Sequence, residues 1–223
     1  VGDANTNPAP SFIGDTIRDV AGFESRIVFA SGAKVVMTRS GEDASRDFFK
    51  KSATVQVSSD PIDIFSTKAK DATIDWIIPF DRNLLLVSDP GSAQFVITGG
   101  GLTPSNASMV LTTDYTVDSG TRPVTTGRTA MLPFTSGQFS GVNEFFTNDS
   151  VATNGADPIT SGQDRYIVGR ITGMAAAVNF NQVAITAKGA PEYIWMYQYL
   201  WSGTDRLQSA WYQRKLPAAI KHM

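Results

Sequence analysis

Any chemistry in this chain would have to rest on carboxylates, Lys, Tyr or a weak oxygen-ligated metal, and the carboxylates are the candidates. Asp60 and Asp63 flank Pro61-Ile62, and Glu192 stands beside Tyr193 and Trp195. Two carboxylates across an aromatic-lined groove can hydrolyse a glycosidic bond, and a similar groove can simply bind sugar. Against that, Asp60-Pro61 is ordinary turn chemistry, and Glu192 reads as an exposed residue at a strand end. The second reading is preferred, so no catalytic residue is assigned. Other nucleophile–base sets are lacking: there is no Cys, and the one histidine, His222, is second from the end. Ser-His-Asp and Cys-His arrangements are therefore excluded, as are Cys-ligated zinc and His-based metal clusters. Neither a cofactor nor a metal is expected.

The elements that would carry these residues repeat. Arg26-Ile-Val-Phe-Ala-Ser-Gly32, Asn83-Leu-Leu-Leu-Val-Ser-Asp89, Arg128-Thr-Ala-Met-Leu-Pro-Phe134 and Gln182-Val-Ala-Ile-Thr-Ala-Lys-Gly189 share one design: a polar residue opens a short apolar run. In three of the four, Ser or Thr with a turn residue closes it. The openings at 26, 83, 128 and 182 recur at roughly the 40–50-residue period of propeller blades, each a small sheet that cannot bury both faces alone. The fold expected is all-β: a partial, β-propeller-like array of antiparallel meander blades, with a meander β-sandwich as the alternative.

Composition agrees. Hydrophobic residues make up 42% of 223 and charged residues 18%, enough apolar material for a core. Gly and Pro, 19 and 11 of them, suit a chain rich in turns. No window approaches a membrane span, and no secretory signal is visible. The net charge is −2. Tight nucleic-acid binding needs a cationic footprint, but the densest cluster here, Arg214-Lys215 with Lys221, is small.

Along the chain, residues 1–22 read as a leading loop and 23–213 as the β domain. Blade-like units are expected near 23–70, 74–101, 107–147 and 165–213, with 214–223 a native tail or an added remnant. Thr54–Ser58 alternates at period two and predicts a strand with Val55 and Val57 on one face. Phe48-Phe49 is expected to dip back over a core edge. Thr98-Gly-Gly-Gly-Leu102 reads as a hinge rather than a phosphate cradle, because Thr103-Pro104, not a helix, follows it. Thr147–Gln163 is expected to be a polar loop. Trp195, Tyr197, Tyr199 and Trp201 alternate by two and predict one buried strand face. Arg206 and Gln208 share a face of the last strand, with Trp211 on the other parity unless a bulge intervenes. These three form a candidate subunit interface, since Arg and Trp often anchor contacts. The alternative is that they close a sheet edge.

The fourth unit also carries a resemblance. Arg165-Tyr-Ile-Val-Gly-Arg-Ile171, Gly189-Ala-Pro-Glu-Tyr-Ile-Trp-Met-Tyr-Gln-Tyr-Leu-Trp201 and Asp205-Arg-Leu-Gln-Ser-Ala-Trp211 resemble the tail tubular, or nozzle, proteins of short-tailed, podovirus-type bacteriophages. Asn7-Pro-Ala-Pro-Ser-Phe-Ile-Gly14, Ser25-Arg-Ile-Val-Phe-Ala-Ser-Gly32, Val35-Val-Met-Thr-Arg-Ser-Gly41, Asp60-Pro-Ile-Asp63 and Pro79-Phe-Asp-Arg-Asn-Leu-Leu-Leu-Val-Ser88 follow the same family in order. Members of that family are longer, so the chain is read as a piece or a short relative. Glu24-Ser25 departs from the aromatic and Asn residues often found there. The resemblance implies a structural protein of the virion tail that is not an enzyme. Its subunits would carry a β-propeller and form a hexameric ring around a channel through which DNA passes without specific binding. Its partners would be other tail and portal-adaptor proteins and tail fibres. A glycan-binding or glycan-hydrolysing tail module is the alternative.

Overall fold

The computed structural model describes residues 4–41, 46–52, 54–66, 72–89, 93–148, 153–203 and 205–223. It is all-β: among the described residues, the one helical element is a three-residue 3-10 turn, Val178–Phe180. The chain divides into an N-terminal unit, Val1–Asp114, and a C-terminal unit, Tyr115–Met223. Each holds two antiparallel sheets, none of them closed.

The first sheet runs β1 (Ile17–Phe23), β2 (Arg26–Ser31), β3 (Lys34–Met37), β4 (Ile62–Phe65). The second runs β5 (Thr73–Phe80), β6 (Asn83–Asp89), β7 (Gln94–Thr98), β8 (Val110–Thr113). In the C-terminal unit, β9 (Val124–Thr125), β10 (Ala130–Ser136), β11 (Phe139–Asn148) and β12 (Thr153–Pro158) form the third sheet, with β13 (Ile167–Val168) pairing β11. The fourth comprises β14 (Ile171–Ala177), β15 (Gln182–Ala187), β16 (Tyr193–Ser202) and β17 (Asp205–Lys215). Each repeated apolar run supplies the second strand of its sheet: β2, β6, β10 and β15. These strands are apolar because neighbours pair on both edges and packing covers the faces. Leu84, Leu85, Leu86 and Val87 are all fully buried.

A second repeat was hidden from the sequence. The first strands of three sheets each carry one extra residue just after an Ile. Ile17 pairs Ser31 while Asp19 pairs Ala30; Ile74 pairs Ser88 while Trp76 pairs Val87; Ile171 pairs Ala187 while Gly173 pairs Thr186. Arg18, Asp75 and Thr172 are therefore bulged, and a bulge switches side-chain parity along its strand. Hence Ile74 and Ile77 enter the same core, whereas strict alternation predicts Ile74 with Trp76 and Ile78.

Other expectations shift too. The segment taken as a leading loop contains β1, which lacks a clean apolar face and is held by its ladder to β2. No strand forms at Thr54–Ser58 among the described residues: Val55 and Val57 are exposed, and Asp60 folds the segment into a turn. The strand near Met109–Tyr115 returns to the second sheet as β8, pairing β7, instead of opening the third. The polar segment Thr147–Gln163 contains β12, paired with β11, while residues 149–152 lie outside the described residues. Phe48 packs against Phe12 and Phe29 at ring-centroid distances of 5.2 and 5.4 Å, but Phe49 is exposed. After β17 the chain folds back, with Ile220 N–H donating to the Pro191 carbonyl at 2.8 Å.

Two cores result. Val28, Val35, Met37, Ile62, Ile74, Leu84 and Phe95 belong to that of the N-terminal unit. That of the C-terminal unit is built around Trp195, Tyr197 and Tyr199, which lie on one face of β16 as the alternation predicts, with Trp201 packed against them. In each unit the two sheets meet through their early strands, β1 and β2 against β5, and β9 and β10 against β14.

Gly99 ties the N-terminal unit together at one point. Its N–H donates to the Arg82 carbonyl at 3.0 Å. A Cβ there would lie 2.3 Å from that same oxygen and 2.8 Å from the Phe23 ring. Gly99→Ala must therefore displace backbone, and we expect a loss of about 1–3 kcal/mol. Urea unfolding followed at Trp76, the unit's one tryptophan, measures it; an unchanged midpoint would refute the steric argument.

Candidate functional site

The candidate carboxylates do not converge. Asp60 is fully buried; its Oδ2 accepts the Val57 N–H at 2.9 Å. Asp63 lies on the exposed side of β4, where its two oxygens accept the Ser11 N–H and hydroxyl at 2.8 and 2.6 Å. Glu192 belongs to the other unit, half-buried just ahead of β16, and its backbone carbonyl accepts the Leu216 N–H at 2.8 Å. Asp60 thus anchors a local turn, and Asp63 ties β4 to Ser11, 52 residues earlier in sequence. No group of three or more metal-ligating side chains occurs among the described residues.

Two polar centres organise the units, one around Arg26, which the sequence reading missed, and one around Arg206 and Trp211, which it offered as an interface or a closed sheet edge. The first surrounds Arg26 at the start of β2. Its guanidinium donates to the carbonyls of Thr38 at 2.7 Å, Asp60 at 2.7 Å and Ser58 at 2.8 Å. Arg26 is only 2% exposed, and this burial lowers its pKa, opposed by the charges of Glu24 and Asp60. It replaces a ladder that the irregular segment before β4 cannot form, satisfying three backbone acceptors at once.

Beside it, Glu24 and Ser25 form the two-residue turn between β1 and β2, at φ 48° and 58°. The Glu24 carboxylate accepts the N–H groups of Gly100, Gly101 at 3.2 Å and Leu102 at 2.9 Å. Gly100 and Gly101 have φ of 89° and 101°, which turns successive amides toward one point. The glycine run is thus an anion cradle, occupied by the chain's own carboxylate. The bonds from Leu102 and then Gly100 hold the Glu24 carboxyl below the usual carboxylate range, with burial opposing and Gly101 and the Arg26 charge adding. A lowered folded-state pKa means that the contact contributes stability above the unfolded-state pKa. That contribution is lost as pH falls through the folded value. Exchange protection of the three amides should therefore fall on acidification through that range, and Glu24→Gln should remove this pH dependence.

The second centre lies in the C-terminal unit. A bulge at Leu207 sets Trp201 opposite Arg206 but Leu200 opposite Gln208. Arg206 and Trp211 consequently share the inward face of β17, and Gln208 points the other way. This replaces the expected pairing of Arg206 with Gln208. Arg206 forms an ion pair with Glu144 of β11 and lies 4.5 Å from the Trp201 ring centroid. Glu144 also accepts the Thr129 hydroxyl at 2.9 Å. Trp211 donates its indole N–H to the Ile159 carbonyl at 3.0 Å and packs on Tyr197 at 4.9 Å. These side chains join the third and fourth sheets within one unit.

Comparison with known proteins shows the family. The family model described as "Bacteriophage nozzle protein" matches residues 1–223. The chain belongs to the bacteriophage nozzle protein family. It is 30% identical over 212 residues to "Tail tubular protein gp12" of Escherichia phage T7. That match covers 94% of this chain and 26% of the relative, so the chain spans about a quarter of that protein's length. The crystal structure of Kluyvelomyces marxianus Hsv2 aligns over 92% of this chain and 74% of its own, at 10% identity and a TM-score of 0.35. That similarity is too low to argue from.

Proposed function

We propose that this chain is a structural segment of a phage tail nozzle, located in the virion tail and forming part of the conduit for genome ejection. The family match over the whole chain carries this reading. The fold supports it: four sheets repeat one meander, three share the same bulged first strand, and the sheets of each unit meet through early strands, as neighbouring propeller blades do. A partial propeller is therefore our reading of the architecture. Of the side chains that sequence reasoning offered for glycan chemistry, Asp60 and Asp63 are engaged as turn and strand anchors, and Glu192 lies in the other unit, which favours a role without catalysis. The net charge of −2 suits a wall past which DNA slides.

In the complete protein we expect a closed ring, hexameric by family resemblance, that contacts other tail and portal-adaptor proteins and fibres. A ring needs two different complementary patches per subunit. The isolated chain should therefore be a monomer or a loose oligomer that dissociates on dilution, as light scattering would show. The main test is immunogold labelling of virions with antibodies raised against this chain. Gold confined to the tail is expected; gold on the capsid would overturn the proposal. Incubation with capsular polysaccharide should release no reducing ends.

A further inference from the structure

The glycine cradle at 99–102 has features that structural closure alone does not require. Three consecutive N–H groups, from Gly100, Gly101 and Leu102, converge on the two oxygens of a single carboxylate. The loop is braced from behind. Asn106 donates to the Gly101 carbonyl at 3.0 Å and accepts the Thr103 N–H at 2.7 Å, and Gly99 is bonded to Arg82. The cradle is thus shaped by its own contacts as well as by its occupant. That occupant sits in an unfavourable place. Two-residue hairpin turns needing positive φ at both positions favour Asn-Gly or Asp-Gly, yet here they are Glu24 and Ser25, both in the left-handed region. Strain of this kind persists where the rest of the structure over-determines it, and it clusters at ligand clamps and switches. Glu24 is also exposed, so its carboxylate can exchange with a solute.

We propose that the 99–102 loop is an oxyanion receptor for which Glu24 is a built-in, displaceable ligand. Successive amides of this geometry bind carboxylate and phosphate groups alike. An external anion that takes the cradle releases the β1–β2 turn from the β7–β8 loop, so the site acts as a latch between the two sheets of the N-terminal unit. In the native chain Glu24 competes at the high effective concentration of a tethered group. External anions therefore bind weakly until Glu24 is withdrawn or removed.

Amide NMR of the 223-residue chain tests this. Wild type, Glu24→Ala and Glu24→Gln are titrated at pH 7 with inorganic phosphate and, separately, with acetate, with chloride holding ionic strength constant. In Glu24→Ala, at least one anion should produce saturable shifts confined to Gly100, Gly101 and Leu102. The wild type should need about tenfold more of it or greater. The two arms show whether phosphate or carboxylate is preferred. If Glu24→Ala does not fold, Glu24→Gln keeps the side-chain shape without the charge. It should then show the same local shifts at lower anion concentration than wild type. Saturation of these amides by neither anion in a folded variant would overturn the proposal. So would equal affinity in wild type and variants, or shifts spread over the surface.

Discussion

Arg206→Ala is expected to destabilise the C-terminal unit by about 3–5 kcal/mol, because it leaves a buried carboxylate without its counter-charge. The Glu144 side chain is 3% exposed, and the Thr129 hydroxyl would be its remaining side-chain donor. The loss would extend beyond charge: the guanidinium lies against the Trp201 ring and donates to the Tyr197 hydroxyl at 3.4 Å. Against a total near 5–15 kcal/mol for a domain, this is a large fraction. Three of the four tryptophans, Trp195, Trp201 and Trp211, lie in this unit, so fluorescence-detected urea unfolding reports on it directly. The double variant Arg206→Met with Glu144→Leu separates the explanations. Replacing both charges with apolar groups should recover most of the loss, as buried pairs commonly show. A single variant within about 1 kcal/mol of wild type would mean that Glu144 is effectively solvated and the pair is peripheral.

This centre also marks where sequence reading stopped. The aromatic alternation at 195–201 was legible because a strand with one buried face repeats at period two, and β16 obeys that over its length. The partner strand was not legible. One extra residue at Leu207 reverses the parity of everything beyond it, and no residue type announces such a bulge. The same holds for Asp75, where a regular alternation would give the wrong core. Glycines offered a different difficulty. The run at 99–101 could be read as flexible, but whether its amides met an anion depended on Glu24, about 76 residues away in sequence. The all-β class and the four second strands were legible because continuous apolar runs between turn residues need no long-range information. Sheet limits were less so. β8 and β12 are polar or weakly apolar edge strands, whose pairing is carried by backbone bonds rather than by side-chain pattern.

Arg26 has a physical role at the opening of the first repeated run. It opens the run Arg26-Ile-Val-Phe-Ala-Ser31, and its side chain turns inward to three carbonyls on two segments, Thr38 after β3 and Ser58 and Asp60 ahead of β4. Only a planar group with several fixed donors can serve all three. Arg26→Ala should therefore strand three backbone acceptors beneath the first sheet and cost about 4 kcal/mol or more. Arg26→Lys should recover part of this, since an ammonium group carries donors but cannot span the same spread, and lysine resists burial more strongly. Amide exchange across β2, β3 and β4 is the measurement that isolates this unit from the other. Protection should collapse in Arg26→Ala, fall partway in Arg26→Lys, and stay unchanged in β15 and β16. Wild-type protection in both variants would show that neither the charge nor the fork of donors holds the segment before β4. The first sheet would then owe its fourth strand to the β3 ladder rather than to Arg26.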